Sequence, residues 1–199
     1  MRPRDSAFLA GARKAISAVV RAYQWFHTIK ARLYVAAQPD VSAGSACTYG
    51  AGAQIRATDG QIVIGSGVHI GEYAQILCRG GELRIGDNVY IGPGCIIVCA
   101  ELISIASDTL IAEYVVIRDQ DHRSDTRPIK AAGLRSSPVH IGRDVWIGAK
   151  ASVLRGSRIG DRSIVAAHSL VKGDVPPDTT VFGIPARPRS QPAFVTEDS

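Results

Sequence analysis

From residue 62 onward an aliphatic residue followed by Gly or Ala recurs every six positions. Ile64-Gly65 and Ile70-Gly71, Ile85-Gly86 and Ile91-Gly92, Ile105-Ala106 and Ile111-Ala112, Ile141-Gly142 and Ile147-Gly148, then Ile159-Gly160 and Val165-Ala166 carry the pattern. The aliphatic positions form triplets at 64, 70, 76; 85, 91, 97; 105, 111, 117; 141, 147, 153; and 159, 165, 171. Tyr49 and Ile55 read as a weaker, earlier coil. Early triplets are separated by three extra residues (76 to 85) or two (97 to 105), while 141 to 171 is unbroken. Side chains alternate along a strand, so the residue two before each aliphatic should also point inward. Those positions, from Ile62, Val68 and Ala74 to Ser157, Ser163 and Ser169, carry no charge and are all small or aliphatic. Three short strands per turn, with Gly or Ala at most corners, predict a triangular parallel β-solenoid whose coils stack about 4.8 Å apart. Glycine is expected at the corners because it takes positive φ at no steric cost.

Two segments depart from this period. Residues 6–34 contain no Pro and one Gly, and they place Phe8, Ala12, Ile16, Val19, Tyr23 and Phe26 at three-to-four spacing, which predicts a helix. The second departure is an excursion: Ile117 to Ile141 spans 24 positions where the period asks for six. A rigid solenoid that extrudes one long polar loop, residues 118–138, is a scaffold carrying a site.

Composition fits a mainly β protein. Apolar residues make up 46% of the 199, aromatics only 6%, and Gly occurs 20 times, which suits a solenoid better than a helical bundle. No apolar run approaches the ~18 residues needed to span a bilayer, and no signal-peptide pattern opens the chain. A cytoplasmic protein is therefore expected. The net charge of +5 is uneven. Residues 1–35 hold Arg2, Arg4, Arg13, Lys14, Arg21, Lys30 and Arg32 against Asp5 alone, so the basic balance belongs to the N-terminal arm. Nucleic-acid binding by the body has no compositional support. A basic helix with Trp25, Phe26 and Tyr34 suits an anionic membrane surface through residues 6–34; the other reading is a cap on the open end of the solenoid.

Cys47, Cys78, Cys95 and Cys99 form no CxxC motif, and without matched histidines they make a poor metal site, so no metal is expected. Cys95 has core phase. Cys78 and Cys99 share a phase in successive coils and read as stacked neighbours, close enough for a disulfide that a cytosolic setting disfavours. Of the five histidines, His69 and His140 have outward phase between aliphatics, His27 is in the arm, and His168 follows Ala167. His122 alone lies in the extruded loop with acidic neighbours, Asp119 and Asp121.

The stretches Pro138 to Ala149 (PVHIGRDVWIGA), Ile164 to Ser169 (IVAAHS), Asp174 to Pro177 (DVPP) and Gly183 to Arg187 (GIPAR) stand in register with the repeats. In this the chain resembles the hexapeptide-repeat acyltransferases, in the maltose/galactoside O-acetyltransferase-like branch, and most of all the polysaccharide O-acetyltransferases. The resemblance covers residues 62–187. It implies a left-handed parallel β-helix, a handedness that periodicity does not give. The implied layout is a helical arm and connector at 1–45, a β-helix domain at 46–187 and a tail at 188–199. It also implies an acetyl-CoA-dependent O-acetyltransferase acting on a sugar or glycan precursor, as a homotrimer.

Transfer from a thioester to a hydroxyl needs proton removal, oxyanion stabilisation and joint positioning of two substrates. The resemblance maps the general base on His122, and a histidine suits that role because it is substantially neutral near pH 7. Either Asp119 or Asp121 could orient the imidazole. No Ser or Cys stands in a nucleophile motif, which favours direct transfer over a covalent enzyme intermediate. Coenzyme A contacts map on Ala149, Ala167, the Lys172-Gly173 pair and Arg187. Trp146, with outward phase, reads as groove wall or subunit contact. The chain departs from the branch at His168, where Gly is usual, and at Gly173, where Lys is usual. The sugar-holding Asn and Asp of the galactoside branch fall on Gly92 and Ala100, which argues against a small free galactoside as acceptor. Two other classes are a non-catalytic binding solenoid and a γ-type carbonic anhydrase; His69, His122 and His140 lack the spacing of the latter.

Overall fold

The computed structural model describes residues 3–188, apart from the side chains of residues 3–12 and of Gln24. One helix, α1 (Pro3–Ala36), precedes a parallel β-solenoid. The strands stack into three faces. Face one has seven strands and begins with Val41–Ala43; face two has eight and begins with Thr48–Tyr49; face three has six and begins with Gln54–Thr58. Neighbouring strands are parallel and in register, as in Leu83 beside Ile103 and Ile103 beside Val139, except that the last strand of face two, Arg187–Pro188, runs antiparallel to Thr180–Phe182. The first strand, Val41–Ala43, already pairs with Gln61–Ile64, so coiling starts within the stretch read as connector.

Both inward positions that the period defines are buried. Ile70, Ile91, Ile111 and Ile147 form one continuous ladder, and Ile55, Ile76, Ile97, Ile117 and Val153 another. Burying each such side chain contributes roughly 1.5–3 kcal/mol. The second inward set is also enclosed, including Thr109, Ser157, Ser163 and Ser169. Their hydroxyls are satisfied by backbone groups; Ser163, for instance, donates to the Pro176 carbonyl at 2.7 Å. All four cysteines are buried and free, with Cys78 and Cys99 as direct register partners. Burial pushes the Cys95 thiol up to about 11.

The corner glycines serve a different purpose from the expected one. Gly71 and Gly92, which follow the ladder isoleucines, do not take positive φ; that conformation falls two residues later, at Tyr73 and Gly94. Gly71 is needed for close approach: a Cβ there would stand 2.6 Å from the Pro93 nitrogen of the next coil.

Coil width is not uniform. The third-face strands of the first coils, Gln54–Thr58, Gln75–Arg79 and Ile96–Cys99, are four or five residues long. After the excursion they shrink to two, at Ser152–Val153 and Leu170–Val171. The excursion itself is an antiparallel hairpin, Gln120–His122 against Leu134–Ser136, with a 3-10 turn at Ile129–Ala131.

The end of α1 closes the first coil. Val35 is buried in the core, and Ala31 packs on it. Thr28 donates to the Tyr49 carbonyl at 3.1 Å, Arg32 to that of Cys47 at 2.6 Å, and Gln38 to that of Ile55 at 3.0 Å. These are outer-edge carbonyls that would otherwise lack a protein partner. Ile16, Val19, Tyr23, Trp25 and Phe26 stay exposed. The side chains of Phe8 and Ala12 from the expected apolar stripe, and residues 189–199 of the expected tail, lie outside the described residues. No helix among them is long and apolar enough to cross a membrane.

Candidate functional site

A cavity of about 580 Å³ lies between face three and the hairpin. Its floor comes from the alternation of strands. Gln75, Leu77 and Arg79 point outward from one coil, Ile96, Val98 and Ala100 line the next, and Arg118 and Gln120 a third. Its roof is the hairpin, through Asp121, His122, Lys130, Gly133 and Leu134. His122 sits at the end of a hairpin strand, opposite Leu134, and is exposed.

Among the described residues neither acid is hydrogen-bonded to His122. Asp119 is fully buried, and its carboxylate accepts from the backbone amides of Ala100 (2.8 Å), Glu101 (2.7 Å) and Leu102 (2.9 Å). The Cys99 thiol donates to it at 3.4 Å, and the Gln120 amide at 2.6 Å. Burial, reinforced by the negative charge of Asp119, holds the Cys99 thiol protonated. Asp119 thus fixes the corner from which the hairpin leaves. Asp121 takes part in an ion pair with Arg155, 2.8 Å away. Asp121 thus has its carboxylate engaged by Arg155, and no hydrogen bond joins it to the imidazole among the described residues.

The residues mapped to coenzyme A lie elsewhere. Ala149 and Ala167 sit in successive coils at the corner between faces two and three, where the Ala149 carbonyl accepts from the His168 amide at 2.9 Å. His168 takes φ 59° there, and its side chain is exposed. Lys172 is exposed beside Gly173, which has φ 97°. Arg187 is exposed on the final strand and donates to the Ala186 carbonyl. Trp146 is half exposed on face two, in a column with Leu110 and Tyr90. None of these seven residues lines the cavity under the hairpin. Small residues in a row with two exposed cations at the same end fit a pantetheine arm and its phosphates.

His69 and His140 are half-buried wall residues. His69 Nδ1 lies 2.8 Å from the Thr48 hydroxyl, and its ring stacks on Tyr90 at 4.8 Å. His140 Nδ1 lies 2.9 Å from the Ser104 hydroxyl. Among the described residues, no three His, Cys, Asp or Glu side chains converge as metal ligands. Arg79, Arg118 and Lys130 were not singled out from the sequence. The available signal was the outward phase of Leu77, Ile96 and Val98, three apolar residues on one face.

A family model described as bacterial transferase hexapeptide (six repeats) matches residues 138–173. A hexapeptide-repeat acetyltransferase of Vibrio cholerae, solved with acetyl coenzyme A, is 30% identical, covering 70% of each chain with a TM-score of 0.54. This chain belongs to the hexapeptide-repeat transferase family. A Mycobacterium tuberculosis protein named a probable acetyltransferase is 45% identical over 87 residues, 43% of this chain and 29% of that one. The galactoside O-acetyltransferase of Escherichia coli is 34% identical over 85 residues, 43% of this chain and 42% of that one. The chain spans less than half the length of either curated relative.

Proposed function

We propose that this protein is an acetyl-CoA-dependent O-acetyltransferase that acetylates a sugar hydroxyl in polysaccharide or glycan-precursor biosynthesis. The observation that carries the reading is the single hairpin ejected from a rigid solenoid, which holds His122 over a cavity of about 580 Å³. Acetyl-CoA supplies the thioester. An imidazole nitrogen of His122 accepts the acceptor's hydroxyl proton as that oxygen bonds to the thioester carbonyl carbon. The carbon–sulfur bond then breaks, and the thiolate takes up the proton. The family relatives named as acetyltransferases support this reading.

Ala149, Ala167, Lys172, Gly173 and Arg187 hold the coenzyme, with Trp146 as groove wall. Because these residues stand apart from the cavity, the complete site is assigned to a homotrimer, in which His122 of one subunit faces the coenzyme row of a neighbour. The residues up to Asp40 serve as arm and connector, and the β-helix domain, whose coiling starts at Val41, carries the chemistry. The protein acts in the cytoplasm, with the exposed part of α1 resting on the inner membrane face.

The deciding experiment is thiol release from acetyl-CoA across a panel of sugars, with mass spectrometry of the product. A mass gain of one acetyl group on a sugar is the expected result. Coenzyme A binding without turnover on any acceptor points to a non-catalytic solenoid.

A further inference from the structure

The cavity beneath the hairpin is positively charged. Arg79 and Arg118 stand on its floor, Lys130 hangs from its roof, and Asp121 is its single carboxylate. Asp121 is already held by Arg155. The other ion pairs among the described residues, Glu82–Arg84, Asp125–Arg123, Asp108–Arg143 and Asp178–Arg162, use none of the three cations. Three cations around one cavity repel one another, an arrangement that favours an anionic occupant. Between them the floor is apolar, with Leu77, Ile96 and Val98.

Resting on the acetyltransferase reading, we infer that the acceptor is an anionic sugar, bearing a phosphate or a carboxylate that Arg79, Arg118 and Lys130 bind while its C–H face lies on Leu77 and Val98. The base beside a cavity takes its proton from the molecule in that cavity, so the charge belongs to the acceptor. The coenzyme's phosphates have their own cations in Lys172 and Arg187, which lie outside this cavity. Arginine on the floor suits the role because its planar fork meets phosphate or carboxylate oxygens two at a time.

The test is equilibrium binding to the full chain, saturated with coenzyme A so that its phosphate site is filled. Glucose 1-phosphate, glucuronic acid and glucose serve as probes. At least one charged probe should bind at least tenfold tighter than glucose at low salt, and the margin should shrink at high salt as screening predicts. The choice between the two charged probes tells phosphate from carboxylate. Arg79→Gln with Arg118→Gln should remove the margin, and Arg79→Lys with Arg118→Lys should restore part of it. Equal binding of charged and neutral probes overturns the inference. So does loss of coenzyme A affinity in the glutamine variant, which would give these cations to the coenzyme. If coenzyme A itself fails to bind the wild-type protein, the acetyltransferase reading is what falls.

Discussion

Asp121 and Arg155 meet across 2.8 Å, and their contact ties the hairpin to the coil that follows it. The pairing leaves His122 without a carboxylate partner from its own strand. His122→Ala is therefore expected to lower turnover at least ~100-fold, the lower range for a general base, with coenzyme A affinity unchanged. Asp121→Asn should cost at least about tenfold less turnover than that, because partly exposed ion pairs contribute little. Steady-state kinetics on both variants, with coenzyme binding as the control, checks the pair of outcomes.

Asp119 is a structural anchor, so its variant should fail differently. Asp119→Asn replaces one acceptor oxygen by a donor facing backbone amides, and charge-assisted hydrogen bonds contribute about 1.5–3 kcal/mol each in buried sites. A loss of about 2–4 kcal/mol in urea unfolding is expected. A fall in kcat with unaltered stability would instead give Asp119 a part in the chemistry.

Gly71→Ala drives a methyl group into the Pro93 backbone nitrogen, 2.6 Å from the added carbon. Backbone in a stacked coil cannot move aside as a side-chain end can, and overpacking costs about 1–3 kcal/mol or more. Thermal unfolding should show a lower midpoint for Gly71→Ala. Gly133→Ala in the hairpin meets no atom within 4 Å, but its φ of +79° adds local strain. That strain sits away from the stacked coils, so the smaller loss is expected there.

Acid should weaken the solenoid through two wall histidines. Burial lowers the pKa of both His69 and His140 from 6.5, and Arg158 lowers that of His140 further. The unfolded chain then binds more protons just below pH 6.5, so their contribution is complete above that pH. It is lost as pH falls from 6.5 through the lower folded values. A urea midpoint that drops between pH 7.5 and 5.5, and drops less in His69→Gln/His140→Gln, is the expected pattern.

The exposed part of α1 gives the fifth prediction. Each Lys or Arg near an anionic surface contributes about 1 kcal/mol, so Arg13, Lys14 and Arg21 together should hold the protein to phosphatidylglycerol vesicles at low salt. Co-sedimentation should fall at high salt and in Arg13→Gln/Lys14→Gln/Arg21→Gln. Removing the helix would be a poor control, because Thr28, Arg32 and Gln38 cover the carbonyls of the first coil. Equal, negligible pelleting of both proteins would leave α1 as a cap alone.

The fold was legible because an 18-residue turn leaves a period that few other structures share. Ile64, Ile70 and Ile76 announce three strands without any knowledge of their neighbours in space. The hairpin was legible as an interruption of that period. What His122 faces was not, because cavity walls are assembled from coils some 20 residues apart. Arg79 and Arg118 read as ordinary solvated charges until the register sets them around one floor. The place of Asp119 was not legible for a related reason. Nearness along the chain made Asp119 a candidate, while its carboxylate turns toward Ala100, Glu101 and Leu102 in the preceding coil.

The unequal widths of the coils turn circumference into a setting for specificity. A coil with a two-residue third face, such as Ser152–Val153, offers one outward side chain; a coil with five offers a row of three, ending at Arg79. The few residues inserted at a single corner therefore decide how broad a platform lies beneath the hairpin, while the isoleucine ladders inside continue unaltered. Lengthening or trimming those corners would resize the acceptor berth without touching the base, the coenzyme row or the core. On such a scaffold, selectivity changes through short insertions as readily as through point substitutions.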